Sequence, residues 1–550
     1  MEGDLSNCHT HPSFFSSETG VYSSKHPPRA LPQDPLQDLV SFLFSHEHLG
    51  TTALVDSSSG SSISYQELKS MVASTASGLR NAGVSANEVV LLLLPTTILY
   101  PVLFLGVLHA GAVATTMNPL SSTEEIMKSV GACNPVVAFT SPDRVENING
   151  LGIRAIAVPD ALDFDSTEFS PFASVLSGGD GGELPRPEIR QTDTACILYS
   201  SGTSGLMKGV VLSHANMIAA AELFVRFEAL QYTAETWKNV YLAALPMFHV
   251  YGLVLFAVGL LSLGSTVVVM RRFNAEEAAR AIERFEVTHF PLVPPVLGAL
   301  VRARSATGCE MRSLKQVSSG AAPLSNKVVQ DFLQAFPRVD FIQGYGMTES
   351  TAVGTRGFNT EKLKKHNSVG LLAPNMQAKV VDCYTGACLP PGKSGELWLR
   401  GPGIMKGYLN DEKATSSTID KNGWLRTADI AYFDEDGYLY VLDRLKDIIK
   451  YKGYQIAPAD LEAVLISHPE IIDAGVTSGE DEEDGEIPVA FVVRKPGSEF
   501  SADEVMKYVS KKVAPYKKVR RVVFVQSIPK SPTGKIMRRL LRGNHAISRM

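Results

Sequence analysis

The stretch YSSGTSGLMKGV (199–210) concentrates groups suited to a negatively charged ligand. Gly202, Gly205 and Gly209 let backbone N–H groups approach a phosphate chain closely. Ser200, Ser201, Thr203 and Ser204 add hydroxyl donors, and Lys208 adds a cation. The P-loop pattern G-x-x-x-x-G-K-[ST] does not fit, because Gly202 and Gly205 are three apart and a glycine follows Lys208. Taken alone, the stretch is either a phosphate loop of a different design or a solvated hairpin loop.

Other clusters add chemistry. In QGYGMTES (343–350), Tyr345 offers a flat face for a base and Thr348 a hydroxyl for a phosphate. Glu349 offers a hard oxygen ligand for Mg²⁺. GELWLRG (395–401) is a strand closed by a glycine, and in WLRTADIA (424–431) Asp429 can accept from ribose hydroxyls. DRLKDIIKYKGYQI (443–456) and PKSPTGKIMRR (529–539) place lysines in polar, turn-rich surroundings. Singly, each could be surface decoration; in combination and in this order they point to one site.

The elements that must carry these clusters alternate between apolar strands and helical patterns. TACILY and GVVLSH flank the glycine-rich loop as strands. SYQELKSMVASTASGLRNAG (64–83) is an amphipathic helix opened by a Ser64/Glu67 capping box, and AEEAARAIERF (275–285) is another. Such alternation implies α/β layering with largely parallel sheets. AYFDEDGYLYVLDR reads as a hairpin turning at Asp436-Gly437. Beyond Arg444 lie helices near 457–469 and 501–513 and strands at 489–493 and RVVFVQ, a small α+β unit behind a hinge at 443–446. Residues 1–33, rich in Ser, His and Pro, read as a flexible arm.

The 550 residues suffice for several cores. A net charge of −5 and no basic run with interleaved aromatics exclude nucleic acid as the implied partner. Two stretches, 89–123 and 239–270, lack Asp, Glu, Lys and Arg and are long enough to span a bilayer. Proline, glycine and histidine punctuate both, so each reads as strand, turn and buried helix, with no membrane span. The six cysteines show neither C-x-x-C nor zinc spacing and read as free thiols. The terminal Ser548-Arg549-Met550 resembles the S-K-L type of tripeptide that a peroxisomal import receptor reads, which implies a peroxisomal protein, the alternative being cytoplasmic.

Over roughly residues 35–545 the chain resembles the adenylate-forming superfamily of acyl-CoA synthetases, beetle luciferases and peptide-synthetase adenylation domains. It is most similar to plant 4-coumarate:CoA ligase and its ligase-like relatives. SSGTSGLMKG, QGYGMTE, GELWLRG, DRLKDIIKYKGYQI and PTGK carry the resemblance. It implies a large multi-subdomain α/β domain over 34–443 and a small mobile α+β domain over 444–550. It also implies two half-reactions: an acid and Mg·ATP give acyl-AMP and pyrophosphate, then coenzyme A takes the acyl group and AMP leaves. By similarity Lys535 bridges the carboxylate and the α-phosphate, and the 200–208 loop (with Gln343, Gly344, Tyr345 and Thr348) serves ATP. Asp429 and Arg444 hold the ribose, and Glu349 holds the metal. Lys446 is the hinge. Its rotation brings Lys450, Lys452 and Gly453 to the site for thioester formation, and Arg272 is assigned to coenzyme A.

The acid pocket implied by the resemblance includes Val250, Tyr251, Pro291, Ser318, Gly320, Ala321, Ala322, Gly344, Gly346, Val353 and Gly354. His249 gates its entry, unless it is simply a satisfied core histidine. The phosphate loop carries Thr203-Ser204 in place of Thr-Thr, and TAD replaces TGD at Ala428. Hydroxycinnamate ligases are expected to have lysine where Ser318 stands and Pro-Val-Leu where Ala352, Val353 and Gly354 stand. Glycine at 354 is expected to open the pocket floor toward a longer acid, fatty-acyl or oxylipin-like. A luciferase-like oxidase shares every motif. A non-catalytic adenylate-binding relative would require broken catalytic lysines, and Lys535 and Lys450 are both present.

Overall fold

The computed structural model describes residues 14–179, 185–200, 207–324, 326–359, 364–451, 454–481, 485–531, 534–538 and 540–541; the side chains of 450, 454, 455 and 485 fall outside that description. Four sheets are present among the described residues. The first runs, edge to edge, 407–408, 208–213, 194–200, 113–116, 89–93, 137–140 and 154–157. Its strands from 194–200 to 154–157 are parallel, and 208–213 turns back antiparallel on 194–200. The second sheet has a parallel centre of 340–345, 316–319, 289–292, 240–243, 266–269 and 52–56, with antiparallel strands at both edges.

These two parallel centres explain the charge-free stretches. Val89–Leu93 and Val113–Thr116 are neighbouring buried strands, and Leu99–His109 is the crossover helix between them, apolar on all sides because it is enclosed on all sides. Val240–Ala243, the wide-turned helical segment Leu253–Gly259 and Thr266–Val269 repeat the arrangement in the second sheet. Among the described residues no helix is long and apolar enough to cross a membrane. The helix Tyr65–Asn81 starts with the expected capping box and buries Leu68, Val72, Ala76 and Leu79.

The third sheet is antiparallel throughout, in the order 15–16, 21–23, 377–381, 395–400, 425–433 and 439–444. It contains the expected hairpin, and it corrects one expectation: residues 14–33 are not a flexible arm. Val21–Ser23 adds to the sheet edge with Ser23 opposite Gln377. Tyr22 is fully buried, stacks on Phe433 at 4.4 Å and donates its hydroxyl to Leu389 O at 2.8 Å. Arg29 pairs with Glu222 at 2.5 Å. A few aromatics suffice here because the sheet edge supplies the backbone partners, a contribution that composition does not reveal. Residues 1–13 lie outside the described residues.

The fourth sheet follows Arg444. It pairs 454–456, 449–451, 485–494 and 471–481 in that order, with 521–524 parallel to 485–494. Helices Pro458–Ile466 and Ala502–Ser510 pack with it around a separate core that includes Leu461, Val489, Phe491 and Val505. Residues 445–447 form the turn between the third and fourth sheets, with Leu445 N donating to Ala428 O and Asp447 N to Arg444 O. Cys133, Cys196, Cys309, Cys383 and Cys388 are free thiols.

Candidate active site

A cleft of about 1030 Å³ is lined by both units: Ser200, His249, Tyr251, Glu349 and Arg444 from the large one, Lys535 from the small one. The strand Thr194–Ser200 ends at the glycine-rich stretch and Lys208 opens the returning strand, with Lys208 opposite Ser200. Ser201, Gly202, Thr203, Ser204 and Gly205 lie outside the described residues. Ser200 donates to Glu349 Oε1 at 2.8 Å, and the Tyr408 hydroxyl donates to the same oxygen at 3.0 Å. Lys208 Nζ stands 4.8 Å from the Tyr408 ring centre. Burial, then the Glu349 charge, holds the Tyr408 phenol well above its ordinary value, so it acts as a donor.

The strand Asp340–Tyr345 carries the second cluster to the same place. Tyr345 donates to Asp429 Oδ2 at 2.6 Å, and Arg444 Nε meets Asp429 Oδ1 at 2.6 Å across adjacent strands. Burial disfavours the guanidinium's charge, but Asp429, Tyr345 and Glu349 outweigh it and keep Arg444 protonated. Asp429 is only 4% exposed and sits behind Arg444 and Tyr345, which line the cleft themselves. Thr348 lines the cleft with them. Gln343 does not: its amide donates to His366 O at 2.7 Å.

The residue between Thr427 and Asp429 has an unusual backbone. Ala428 adopts φ +56°, a left-handed conformation that glycine takes freely and alanine at a cost of about 1 kcal/mol. The glycine of the ordinary TGD pattern has its physical reason there, and Ala428 lines the cleft.

Lys535 enters the cleft on a tight turn. Gly534 N and Ser531 N bond Ser531 O and Lys535 O, both at 2.8 Å. Gly534 has φ +79°, and a Cβ there would lie 2.6 Å from Pro295 of the large unit. The glycine of PTGK thus permits both the turn and the close approach that delivers its lysine. Burial first, then the neighbouring Arg444 charge, pushes the Lys535 ammonium down to about 8, with Asp429 and Asp447 opposing. His249 also lines the cleft; its Nε2 has no hydrogen-bond partner among the described residues, and desolvation lowers the ring to about 4, so it is neutral.

A family model described as AMP-binding enzyme matches residues 44–409, and one described as AMP-binding enzyme C-terminal domain matches 460–535. The chain belongs to the AMP-binding enzyme family. Among curated relatives, 4-coumarate--CoA ligase-like 6 of Arabidopsis thaliana is 59% identical over 97% of this chain and 95% of that protein. Peroxisomal OPC-8:0-CoA ligase 1 of the same plant is 43% identical over 96% of each. Among solved structures, ATP-bound MatB of Rhodopseudomonas palustris shares the fold with a TM-score of 0.82 at 24% identity, over 92% of this chain and 98% of that one. o-Succinylbenzoate CoA synthetase of Bacillus subtilis, solved with its acyl-adenylate, gives a TM-score of 0.78 at 26% identity, over 91% and 97%. The chain is an AMP-forming acyl-CoA ligase, α/β in fold with a separate small C-terminal sheet domain.

Within this family member the implied acid wall divides. Val250, Tyr251, Gly320, Ala321, Gly344 and Gly346 line the cleft. Ala322, Val353 and Gly354 do not, and Val353 is fully buried in the main core. Glycine at 354 does not open the floor. A Cβ there would lie 2.4 Å from Tyr345 O, so backbone already fills the space. Pro291 and Ser318 instead line a separate cavity of about 10 Å³ with Glu228, His289, Gln316 and Arg356, room for about one water. Arg272 is exposed and away from the cleft wall. Lys446 lines the cleft at its outer side. Lys452, Gly453 and residues 548–550 lie outside the described residues, as does the side chain of Lys450.

Several wall residues escape sequence reasoning. Tyr408 follows a glycine in MKGYLN, a pattern that ranks with many surface turns. Arg538 ties the turn at 443–447 to the small domain: it meets Glu462 at 2.8 Å, Asp447 at 3.5 Å and Asp443 at 3.6 Å. The doubled arginine after PTGKIM is the signal that could have drawn attention to it. Phe224, Glu228 and Arg356 have no shared motif at all.

Proposed function

We propose that the chain activates an aromatic or fatty/oxylipin carboxylic acid as its acyl-adenylate and passes the acyl group to coenzyme A, and that Lys535 governs the first step. The observation that carries this reading is the placement of a buried amine from the small domain in a cleft beside Arg444. A carboxylate and an α-phosphate repel, and a fixed cation in a partly dry cleft offsets that repulsion where it matters most. A carboxylate oxygen attacks the α-phosphorus, the bond to the bridging β-oxygen breaks, and pyrophosphate departs with the electron pair. The coenzyme A thiolate then attacks the acyl carbonyl, the carbon–oxygen bond to phosphate breaks, and AMP leaves.

Tyr345, Asp429 and Arg444 would hold the nucleoside, and Ser200 with the 201–208 loop the departing phosphates. His249, neutral and with no partner for its Nε2 among the described residues, would stand at the entry to the acid arm. Glu349, a carboxylate in the cleft wall, would be the protein's ligand to a Mg²⁺ carried in mainly by the ATP phosphates. When bound, that ion would neutralise phosphate charge. After the first step Lys535 occupies space that the thiol needs. Rotation about Lys446, which lies in the turn between two sheets, would remove it and bring in Lys450, Lys452 and Gly453. Ser548-Arg549-Met550 and the relative named as peroxisomal support import into peroxisomes.

The test is AMP release from a panel of cinnamates, benzoates, fatty acids and cyclopentenone acids, each with and without coenzyme A. A thioester formed only when coenzyme A is present supports the ligase. Oxidation of the adenylate without a thioester product would contradict it.

A further inference from the structure

Glu228 and Arg356 serve none of the steps above, yet they form an ion pair with side chains 13% and 11% exposed. Glu228 sits in the helix Phe227–Tyr232, and Arg356 on a two-residue strand opposite Gly344. Strand alternation separates two duties: Tyr345 turns to Asp429 and the nucleotide side, while its neighbour Gly344 faces Arg356. A Cβ at Gly344 would lie 2.9 Å from Arg356 Nη1, so the missing side chain makes room for the guanidinium. Arg356 therefore ends the arm of the cleft bounded by Tyr251, Gly320 and Gly344, and the one-water cavity lies behind it.

The donors can be counted. Arg356 Nε and Nη2 both donate to Glu228, the latter at 3.1 Å, and the guanidinium packs 4.9 Å from the Phe224 ring centre. Nη1 meets only the Tyr251 hydroxyl, at a long 3.4 Å, among the described residues. Three of a guanidinium's five N–H groups are spent this way, so two have no partner among the described residues, on a side chain that lines both the cleft and the one-water cavity. An alkyl or bare aryl end pressed against it would strip water from a donor and return nothing. Glu228 cancels the net charge, so a neutral acceptor suits the place.

We propose that this arm selects acids whose far end carries a hydrogen-bond-accepting oxygen, a phenolic hydroxyl or a ketone, and that Arg356 reads that oxygen while Glu228 holds Arg356 in place. The inference rests on the ligase reading above and narrows its substrate class, against unbranched fatty acids ending in methyl.

The experiment compares kcat/KM for two matched pairs: 4-hydroxycinnamate with cinnamate, and a medium-chain acid bearing a distal ketone with its alkyl counterpart. The wild type is expected to prefer the oxygenated member of at least one pair by about tenfold or more. The pair that shows the preference identifies the group. Arg356→Met is expected to bring that ratio below about threefold. Arg356→Met/Glu228→Leu removes both charges, leaves no buried carboxylate unpaired, and should give the same ratio in a stably folded enzyme. A wild-type ratio near one for both pairs, or a ratio that survives the double substitution, would overturn the proposal. Failure of every acid to give a thioester would instead overturn the ligase reading beneath it.

Discussion

The two ends of the cleft are built on different principles. At the proposed nucleotide end four polar side chains are tied to two carboxylates: Ser200 and Tyr408 to Glu349, Tyr345 and Arg444 to Asp429. At the acid end the wall is glycine, alanine and aromatic surface, broken by one ion pair and one unpartnered imidazole nitrogen. On the proposed assignment, the first arrangement would pre-organise charge for the nucleotide. The second leaves space whose shape and few donors decide which acid fits. The difference teaches that common chemistry is held by coupled groups and specificity by sparse ones.

The comparison is sharpest where the coupling is cut. Asp429→Ala leaves the Arg444 charge and the Tyr345 hydroxyl without their shared partner. A loss of about 10- to 100-fold in kcat/KM for ATP is expected, since hydrogen bonds to charged groups contribute about 1.5–3 kcal/mol. The relative preference among acids should stay the same, and steady-state kinetics with two acids reads both quantities. A changed acid preference would break the separation of the two ends.

A smaller effect follows from Lys535. Burial and the Arg444 charge push its amine down to about 8, and the charged form, present below that pH, is the one the proposed first step needs. The pH profile of kcat/KM for ATP should be flat below about pH 8 on this account and fall about tenfold per unit above it. Lys535→Arg, charged throughout, should lose that fall even if its rate is lower. The smallest effect concerns Ala428. Ala428→Gly should relieve the left-handed strain and raise stability by about 1 kcal/mol, read as an increase in the urea midpoint.

Legibility in the sequence follows the same division. The proposed nucleotide end is written in short motifs because a glycine-rich stretch and its neighbouring strands each need residues a few positions apart, as in 199–210 and 343–350. The alternating layers, the capped helix at 65–81 and the hairpin at Asp436-Gly437 are local patterns and were readable for that reason. The acid end is assembled from positions as distant as Glu228 and Arg356, joined only by the fold, and no spacing announces them. Gly354 misleads for a related reason: the sequence shows a missing side chain but not the Tyr345 backbone that fills its place. Residues 14–33 mislead because a strand at a sheet edge borrows its order from a partner some 350 positions away.

The account depends most on the amine at 535 acting in one half-reaction and leaving before the other. The direct measurement separates the two steps in Lys535→Ala by single-turnover kinetics, using acid plus ATP for the first and chemically made acyl-adenylate plus coenzyme A for the second. Adenylate formation should fall by about 100- to 1000-fold while thioester formation from the supplied adenylate stays within a few-fold of the wild type. Equal losses in both steps, or an unchanged first step, would contradict the account.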